Sequence, residues 1–183
     1  DGYLDNYKNA YPILKQYSMT ATIFLITDYV STYPNYLTWD QALEMQDNGV
    51  CLQSHTLSHV DLRQVDDQEA LAQLKTSKDA LEWHLHNKVH YLAYPCGSYD
   101  DEIKALARQA GYRGAFTVNY GLDRQGNSLF ALNRIPIFGG NSHTLMRFKL
   151  RLKLTPLLTS LGQLKNDLNK NGHPSLAAWI PIP

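Results

Sequence analysis

Short apolar runs alternate with stretches of helical periodicity along most of this chain, and this alternation is the feature that most limits its fold. The strand-like runs and the helical stretches between them are, in order, 20–26, 38–48, 50–52, 66–86, 89–94, 98–110, 115–118 and 131–138. A further helix is expected over 6–17, with Pro12 at a bend or in a fresh first turn. Thr38 with Gln41 is the expected capping box of the stretch 38–48, and Ser98 is the expected cap of the stretch 98–110. Such alternation predicts the α/β class, as a parallel sheet or an α/β barrel. Functional residues in these folds collect in the loops after the carboxyl ends of strands.

Two histidines four residues apart follow one of these predicted strands. The segment Gln53-Ser54-His55-Thr56-Leu57-Ser58-His59 begins where the apolar run ends. Imidazole nitrogen suits zinc and its first-row neighbours, and two imidazoles would supply half of a tetrahedral site. The small hydroxyl residues between them could orient the rings by hydrogen bonds. The spacing alone leaves open a second interpretation, two histidines hydrogen-bonded within a loop.

Composition narrows the classes of protein and partner. The 183 residues predict one domain, and a net charge of zero with a pI near 7.2 offers no electrostatic footprint for nucleic acid or an anionic membrane. No apolar run reaches the roughly 18 residues of a transmembrane helix. Cys51 and Cys96 are expected to be buried thiols, with a disulfide between them as the alternative. Trp39 and Trp83 are expected to be core residues. Because the chain begins at Asp1 rather than Met, we expect a fragment or a processed form.

Three motifs in order resemble the polysaccharide deacetylase family, also known as the NodB-homology domain or carbohydrate esterase family 4. They are Asp1-Gly2, His55-Thr56-Leu57-Ser58-His59 and Tyr94-Pro95-Cys96-Gly97. The segments 12–14 and 21–25 are similar to a helix and a strand of that domain, so the resemblance covers about residues 1–140. The third motif is most similar to the branch that deacetylates poly-N-acetylglucosamine.

The resemblance implies a distorted (β/α) barrel and a divalent metal, zinc by preference, with cobalt, nickel or manganese as alternatives. The implied metal ligands are Asp1, His55 and His59, and a backbone N–H at Cys96 would help to hold an oxyanion. The implied activity is hydrolysis of N-acetyl groups on an amino-sugar polymer such as poly-N-acetylglucosamine, peptidoglycan or a chitin-like glycan. The implied location is extracellular or in the cell envelope.

The chain departs from the family pattern at three catalytic positions. The family's base is the Asp immediately before the one that matches Asp1, so the base and the first barrel strand would precede this sequence. Ala93 stands where the family often has an Arg that orients the base; Arg134 is a candidate substitute, or else a surface arginine. The motif that carries the general acid is not evident, and His143 is either a candidate for that role or an exposed loop histidine.

Aromatic residues near the predicted loops are candidates for contacts with sugar rings. Tyr94, Pro95, Tyr99 and Tyr120 are the predicted substrate-binding residues. Core packing or loop anchoring is the alternative use of each tyrosine.

The sequence also predicts how the chain divides into domains. Residues 1–154 are predicted to form the catalytic domain and 155–183 a helix and a linker, with a fused domain conceivable beyond either end. The alternating residues 148–154 fit a strand or a helix equally well.

The rival to an enzyme is a catalytically inactive glycan-binding domain of the same fold, and an Asp immediately upstream of Asp1 would favour the enzyme. A zinc peptidase would require H-E-x-x-H, whereas Thr56 follows the first histidine here.

Overall fold

The computed structural model describes residues 1–138 and 144–170, which belong to two compact units. The first unit contains Asp1–Thr117 and Leu129–Ala131. The second contains Val118–Ser128 and the described residues of Leu132–Pro183. The general-acid candidate His143 and the predicted linker after residue 170 lie outside the described residues.

Five short strands form one sheet in which spatial order follows sequence order. They are β1 (Thr22–Leu25), β2 (Cys51–Ser54), β3 (Tyr91–Ala93), β4 (Gly114–Tyr120) and β5 (Leu132–Arg134). The pairings of β1 with β2, β2 with β3 and β3 with β4 are parallel. The predicted α/β class is confirmed, and this open, sequentially ordered sheet is compatible with the expected (β/α) barrel.

Helices precede or connect the strands as the periodicity predicted. They are a π-helical turn (Asn6–Ala10), α1 (Tyr11–Gln16), α2 (Trp39–Asp47), α3 (Asp67–Leu85), α4 (Asp101–Gln109) and α5 (Leu145–Lys170). Single 3-10 turns cover Thr27–Tyr29, Leu62–Gln64 and Pro95–Gly97. Pro12 is the second residue of α1, which continues from the π-helical turn with helical backbone angles at Ala10 and Tyr11, so the chain is helical on both sides of the proline.

Three helices begin at a residue whose side chain caps the first backbone N–H groups. Thr38 and Gln41 form the predicted capping box of α2, and the side chain of Asp66 accepts a hydrogen bond at the start of α3. The prediction that Ser98 caps α4 is wrong. Asp100 is the cap, and its carboxylate accepts from the Ile103 N–H at 2.9 Å.

The hydrophobic core of the first unit lies between the strands and α3. Leu52 and Leu92 from the strands belong to the same buried cluster as Leu74, Leu81 and Leu85 of α3. Fully burying a leucine contributes about 1.5–3 kcal/mol, so this cluster fixes the position of β2 against the helix. The segment that follows β2 therefore starts from a rigid base.

Several residues predicted to be buried are exposed. Trp83 is 75% exposed, because it lies on the outer face of α3, although Trp39 does pack against the core and stacks on His84. Cys51 and Cys96 are exposed free thiols rather than buried ones. The first strand is also only partly buried, with Thr22 exposed at its start.

The second unit contains the chain's last described helix. The ambiguous residues 148–154 are helical, and α5 continues through the predicted domain boundary after residue 154. The Tyr120 hydroxyl lies 2.8 Å from Thr155 Oγ1 of this helix, and the Leu122 N–H donates to Thr159 Oγ1 at 3.1 Å. Among the described residues, no helix combines the length and the apolar character needed to cross a membrane.

Candidate metal centre

Three side chains with metal-binding atoms converge beyond the carboxyl ends of β1 and β2. Asp1, His55 and His59 each offer one donor atom, and these atoms lie within 4.8 Å of one another. The Asp1 Oδ1 atom is 3.1 Å from His55 Nε2, and the two imidazole ring centroids are 4.7 Å apart. The structure thus brings these three side chains together, although Asp1 precedes the two histidines by more than fifty positions.

The sheet and a close glycine contact bring Asp1 to the histidines. His55 is the first residue after β2, and its N–H donates to Leu25 O at the end of β1 at 2.8 Å. Gly2 has φ +82°, and a Cβ built on it would lie 2.8 Å from Leu25 Cδ2. Only glycine allows Asp1 and its neighbour to run so close to the end of β1.

A hydrogen bond to the backbone fixes which nitrogen of His55 faces Asp1. His55 Nδ1 lies 2.7 Å from the carbonyl oxygen of Ala93 at the end of β3. Because a carbonyl oxygen only accepts, Nδ1 carries the proton, and Nε2 of the neutral ring presents a lone pair toward the carboxylate. Two such acceptors at 3.1 Å require a positive charge between them, either a proton or a metal ion. Tetrahedral donors about 2.0–2.1 Å from zinc would be about 3.3 Å apart, so the Asp1 and His55 donor atoms have the spacing of two ligands of one divalent ion, and the His59 donor lies within 4.8 Å of both.

The loop between the two histidines has an unusual backbone conformation. Thr56 and His59 both have positive φ, at +67° and +62°. A β-branched residue in this region is an outlier, so the surrounding contacts must hold it. The Thr56 N–H donates to Ser54 Oγ, its carbonyl accepts from the Thr27 N–H, and its Oγ1 accepts from the His59 N–H, each at 3.2 Å.

Two buried polar contacts from α3 support this loop. Ser77 Oγ lies 2.9 Å from Ser54 Oγ and 2.7 Å from Thr27 Oγ1, which forms a chain of three buried hydroxyls. The Gln73 side chain accepts from the Ser58 N–H at 3.0 Å and donates to Ser58 Oγ at 2.9 Å. The hydroxyls of Ser54 and Thr56 were expected to orient the imidazole rings, but they bond to the backbone of the loop, and Nδ1 of His55 bonds to the Ala93 carbonyl instead.

The environment of His59 favours a neutral ring. Burial is the largest cause that lowers the pKa of His59, and the electrostatic effect of the nearby His55 imidazole lowers it further. A neutral imidazole keeps the lone pair that a metal ligand needs.

The third predicted motif forms the 3-10 turn that follows β3. Cys96 has φ +54° in this turn and is exposed. Tyr94 is only 2% exposed and its hydroxyl donates to Phe130 O at 3.1 Å, so its predicted stacking on a sugar ring is wrong. Pro95 is buried as well, which removes its ring from the predicted substrate contacts. Tyr99 stacks on Tyr94 with a centroid distance of 5.2 Å and is half-buried, so part of its ring remains accessible.

The other two predicted site residues belong to the second unit. Tyr120 ends β4 and is half-buried beside α5. Arg134 ends β5, and burial lowers the pKa of its guanidinium. Their roles in binding and catalysis remain predictions.

Sequence reasoning overlooked three contributors to the neighbourhood of this centre. The Ala93 carbonyl and the Gln73 amide act on the histidine loop from distant positions, and no local pattern indicates either contact. Three tyrosines, Tyr29, Tyr33 and Tyr36, lie in a stretch of eight residues that follows β1, and they pack together with Tyr3. The high density of tyrosines in this short stretch was the sequence signal that could have indicated the cluster.

Comparison with known proteins identifies the class that this fold and site define. The family model described as polysaccharide deacetylase matches residues 1–115. The chain therefore belongs to the polysaccharide deacetylase family.

Individual relatives agree with this assignment. A provisionally assigned polysaccharide deacetylase of Bacillus subtilis strain 168, YxkH, is 34% identical over 142 residues, which are 78% of this chain and 50% of that protein. The poly-β-1,6-N-acetyl-D-glucosamine N-deacetylase of Staphylococcus epidermidis is 32% identical over 126 residues, 61% of this chain and 43% of the relative. The solved structure of the Streptococcus pyogenes deacetylase PplD in complex with acetate superposes with a TM-score of 0.77 at 35% identity, covering 85% of this chain and 66% of that one. The chain spans about half the length of the curated relatives it matches.

Proposed function

We propose that this chain is a metal-dependent hydrolase that removes N-acetyl groups from an amino-sugar polymer. The convergence of Asp1, His55 and His59 is the observation that carries the proposal. The name of the Staphylococcus relative supports poly-N-acetylglucosamine as a substrate class, with peptidoglycan and chitin-like glycans as alternatives. Because such polymers lie outside the cytoplasm, we propose an extracellular or cell-envelope location.

The proposed reaction is amide hydrolysis. A water oxygen forms a bond to the acetyl carbonyl carbon, the C–N bond breaks, and a proton reaches the nitrogen, which gives acetate and a free amine. A divalent cation held by the three side chains would polarise the carbonyl and acidify the water. Two imidazoles and one carboxylate leave coordination positions open for both reactants. Zinc suits this donor set best, and cobalt, nickel and manganese are alternatives.

This chain's own residues divide into ligands and supports. The Ala93 carbonyl holds His55 so that Nε2 faces Asp1 and would be available to the ion, and Gln73 with Thr56 holds the backbone that carries His59. We propose the Cys96 N–H as a donor to the developing oxyanion, since the exposed turn of the third motif carries it. The base is proposed to be an Asp preceding Asp1. Arg134 as its orienting partner and His143 as the acid stay proposals from the resemblance.

The test is acetate release from N-acetylglucosamine oligomers by the full-length protein. We expect release to cease with a chelator and to return when zinc is added. His55→Ala should abolish release, whereas His86→Asn should not, because His86 is exposed after α3 and Asn tolerates its positive φ. Release that persists with the chelator, or in His55→Ala, would contradict the mechanism.

The rival function is a domain of this fold that binds a glycan without cleaving it. Ala93, where the family often has an arginine, is the observation that favours it. Oligomer binding without acetate release by the full-length, zinc-loaded protein would establish this alternative.

A further inference from the structure

Four tyrosines in the first unit form a cluster, and none of them is a predicted site residue. Tyr3, Tyr29, Tyr33 and Tyr36, called here the tyrosine cluster, have ring centroids 4.7 Å apart for Tyr3 and Tyr36, 5.0 Å for Tyr29 and Tyr33, and 4.9 Å for Tyr29 and Tyr36. Such edge-to-face and tilted contacts hold the rings in fixed orientations. The cluster is therefore a defined surface rather than a set of separate side chains.

Two members of the cluster are presented to solvent and two support them. Tyr33 is 49% exposed and Tyr3 is 42% exposed, whereas Tyr29 and Tyr36 are half-buried. Burial and a hydrogen bond with Tyr3 raise the pKa of Tyr36 to about 12, so its phenol stays neutral. Aromatic rings that served only to anchor the loop would be covered by it, and these two are not.

Backbone hydrogen bonds connect the loop of the cluster to the two segments that carry the metal-binding side chains. The loop that carries Tyr29, Tyr33 and Tyr36 bonds to the segment of Asp1 on one side and to the segment between the two histidines on the other. The four bonds are Leu37 N–H to Gly2 O at 2.9 Å, Leu4 N–H to Asn35 O at 2.8 Å, Thr27 N–H to Thr56 O at 3.2 Å and Asp28 N–H to Leu57 O at 2.9 Å. The cluster and the metal ligands thus lie at the same edge of the sheet, beyond the carboxyl ends of β1 and β2.

We propose that the tyrosine cluster is a binding surface for sugar units of the polymer next to the one being deacetylated. A pyranose ring presents an apolar C–H face that packs on a flat aromatic ring, while its hydroxyls hydrogen-bond with phenols at the rim. The cluster carries no formal charge, which suits a neutral N-acetylated glycan. This inference rests on the proposed function and adds the path that the polymer takes across the protein surface.

The direct test measures binding of N-acetylglucosamine hexamers to the full-length protein by calorimetry. Tyr33→Ala should raise the dissociation constant about five- to tenfold, the change expected when about 50 Å² of apolar surface is no longer covered. Tyr33→Trp should retain binding, because it keeps a flat ring in an exposed loop position. Tyr17→Ala is the matched control, since Tyr17 is 65% exposed but precedes β1 at the opposite edge of the sheet. Its dissociation constant should equal that of the wild type.

A kinetic measurement separates this proposal from the function it rests on. Tyr33→Ala should lower kcat/KM for the hexamer and leave that for the N-acetylglucosamine monomer unchanged. If no substrate is deacetylated but Tyr33→Ala still weakens hexamer binding, the cluster proposal stands and the enzyme proposal fails. If Tyr33→Ala binds and processes the hexamer like the wild type, or if the wild type binds no hexamer, the cluster proposal is wrong.

Discussion

Replacing Gln73 by methionine should both destabilise the first unit and weaken metal binding. The Gln73 side chain is 5% exposed and makes two hydrogen bonds with Ser58, while its bond to Glu69 is nearer to solvent. Methionine has similar length and makes none of them. Each buried bond contributes about 0.5–1.5 kcal/mol, and the more favourable burial of a thioether offsets part of the loss. We therefore expect the free energy of unfolding to fall by about 1–3 kcal/mol.

The same substitution releases the backbone between the two imidazoles. Changes to groups that orient metal ligands typically cost about 10–100-fold in metal affinity, and we expect a loss in this range. Urea unfolding with a chelator present reports the stability of the metal-free protein, and calorimetric zinc titration reports the affinity.

Gln68→Met provides the matched control, because Gln68 is an exposed residue in the first turn of the same helix. It should change stability by less than about 0.5 kcal/mol and leave zinc affinity unchanged. A Gln73→Met protein that matches this control in both measurements would refute the view that α3 positions the histidine loop.

Three further substitutions test the electrostatics, a helix cap and the close approach beside the metal centre. Burial alone would raise the pKa of Glu82, but hydrogen bonds, chiefly from Lys78, outweigh it and lower the pKa to about 2. The ionised carboxylate therefore stabilises the wild type by about 1–3 kcal/mol above pH 5, and this contribution is lost as the pH falls toward 2. Glu82→Gln should lack it, which unfolding free energies measured between pH 2 and pH 7 would show. Asp100→Ala should lower the free energy of unfolding by about 1 kcal/mol in urea titrations, whereas an equal effect of Ser98→Ala would contradict the observed cap. Gly2→Ala should lower the melting temperature and the zinc affinity, because it adds a Cβ at positive φ against β1, and a wild-type zinc affinity would contradict this.

The parts of the fold that local sequence determines were predictable. The alternation of short strands with amphipathic helices specified a parallel sheet, and the capping box at Thr38 marked the start of α2. The position of His55 directly after β2 followed from the same pattern, because parallel strands bring their carboxyl ends to one edge.

Some predictions were wrong because they followed the residue type rather than the position of the residue in its helix or strand. Another was wrong because two neighbouring residues were equally good candidates for the same cap. Trp83 lies two residues after Leu81 on α3, so helical periodicity places it on the outer face despite its size. Cys51 is exposed because it is the first residue of β2, where the strand begins at the surface, and the three residues that follow it are all buried. Ser98 and Asp100 are both good caps, and the turn after β3 decides between them.

Contacts between distant segments could not be read from the sequence. The Ala93 carbonyl reaches His55 only because β3 pairs with β2, and Gln73 reaches Ser58 only because α3 packs on the sheet. Tyr3 joins the tyrosine cluster through its bridge to Tyr36. Each of these depends on tertiary packing, and none leaves a periodic trace.

The most direct test of the central claim is anomalous diffraction from crystals of the full-length protein loaded with zinc. We predict one ion about 2.0–2.2 Å from a carboxylate oxygen of Asp1 and from one ring nitrogen each of His55 and His59. An ion bound at other residues, with Asp1 and the two imidazoles left as a hydrogen-bonded group, would contradict the claim.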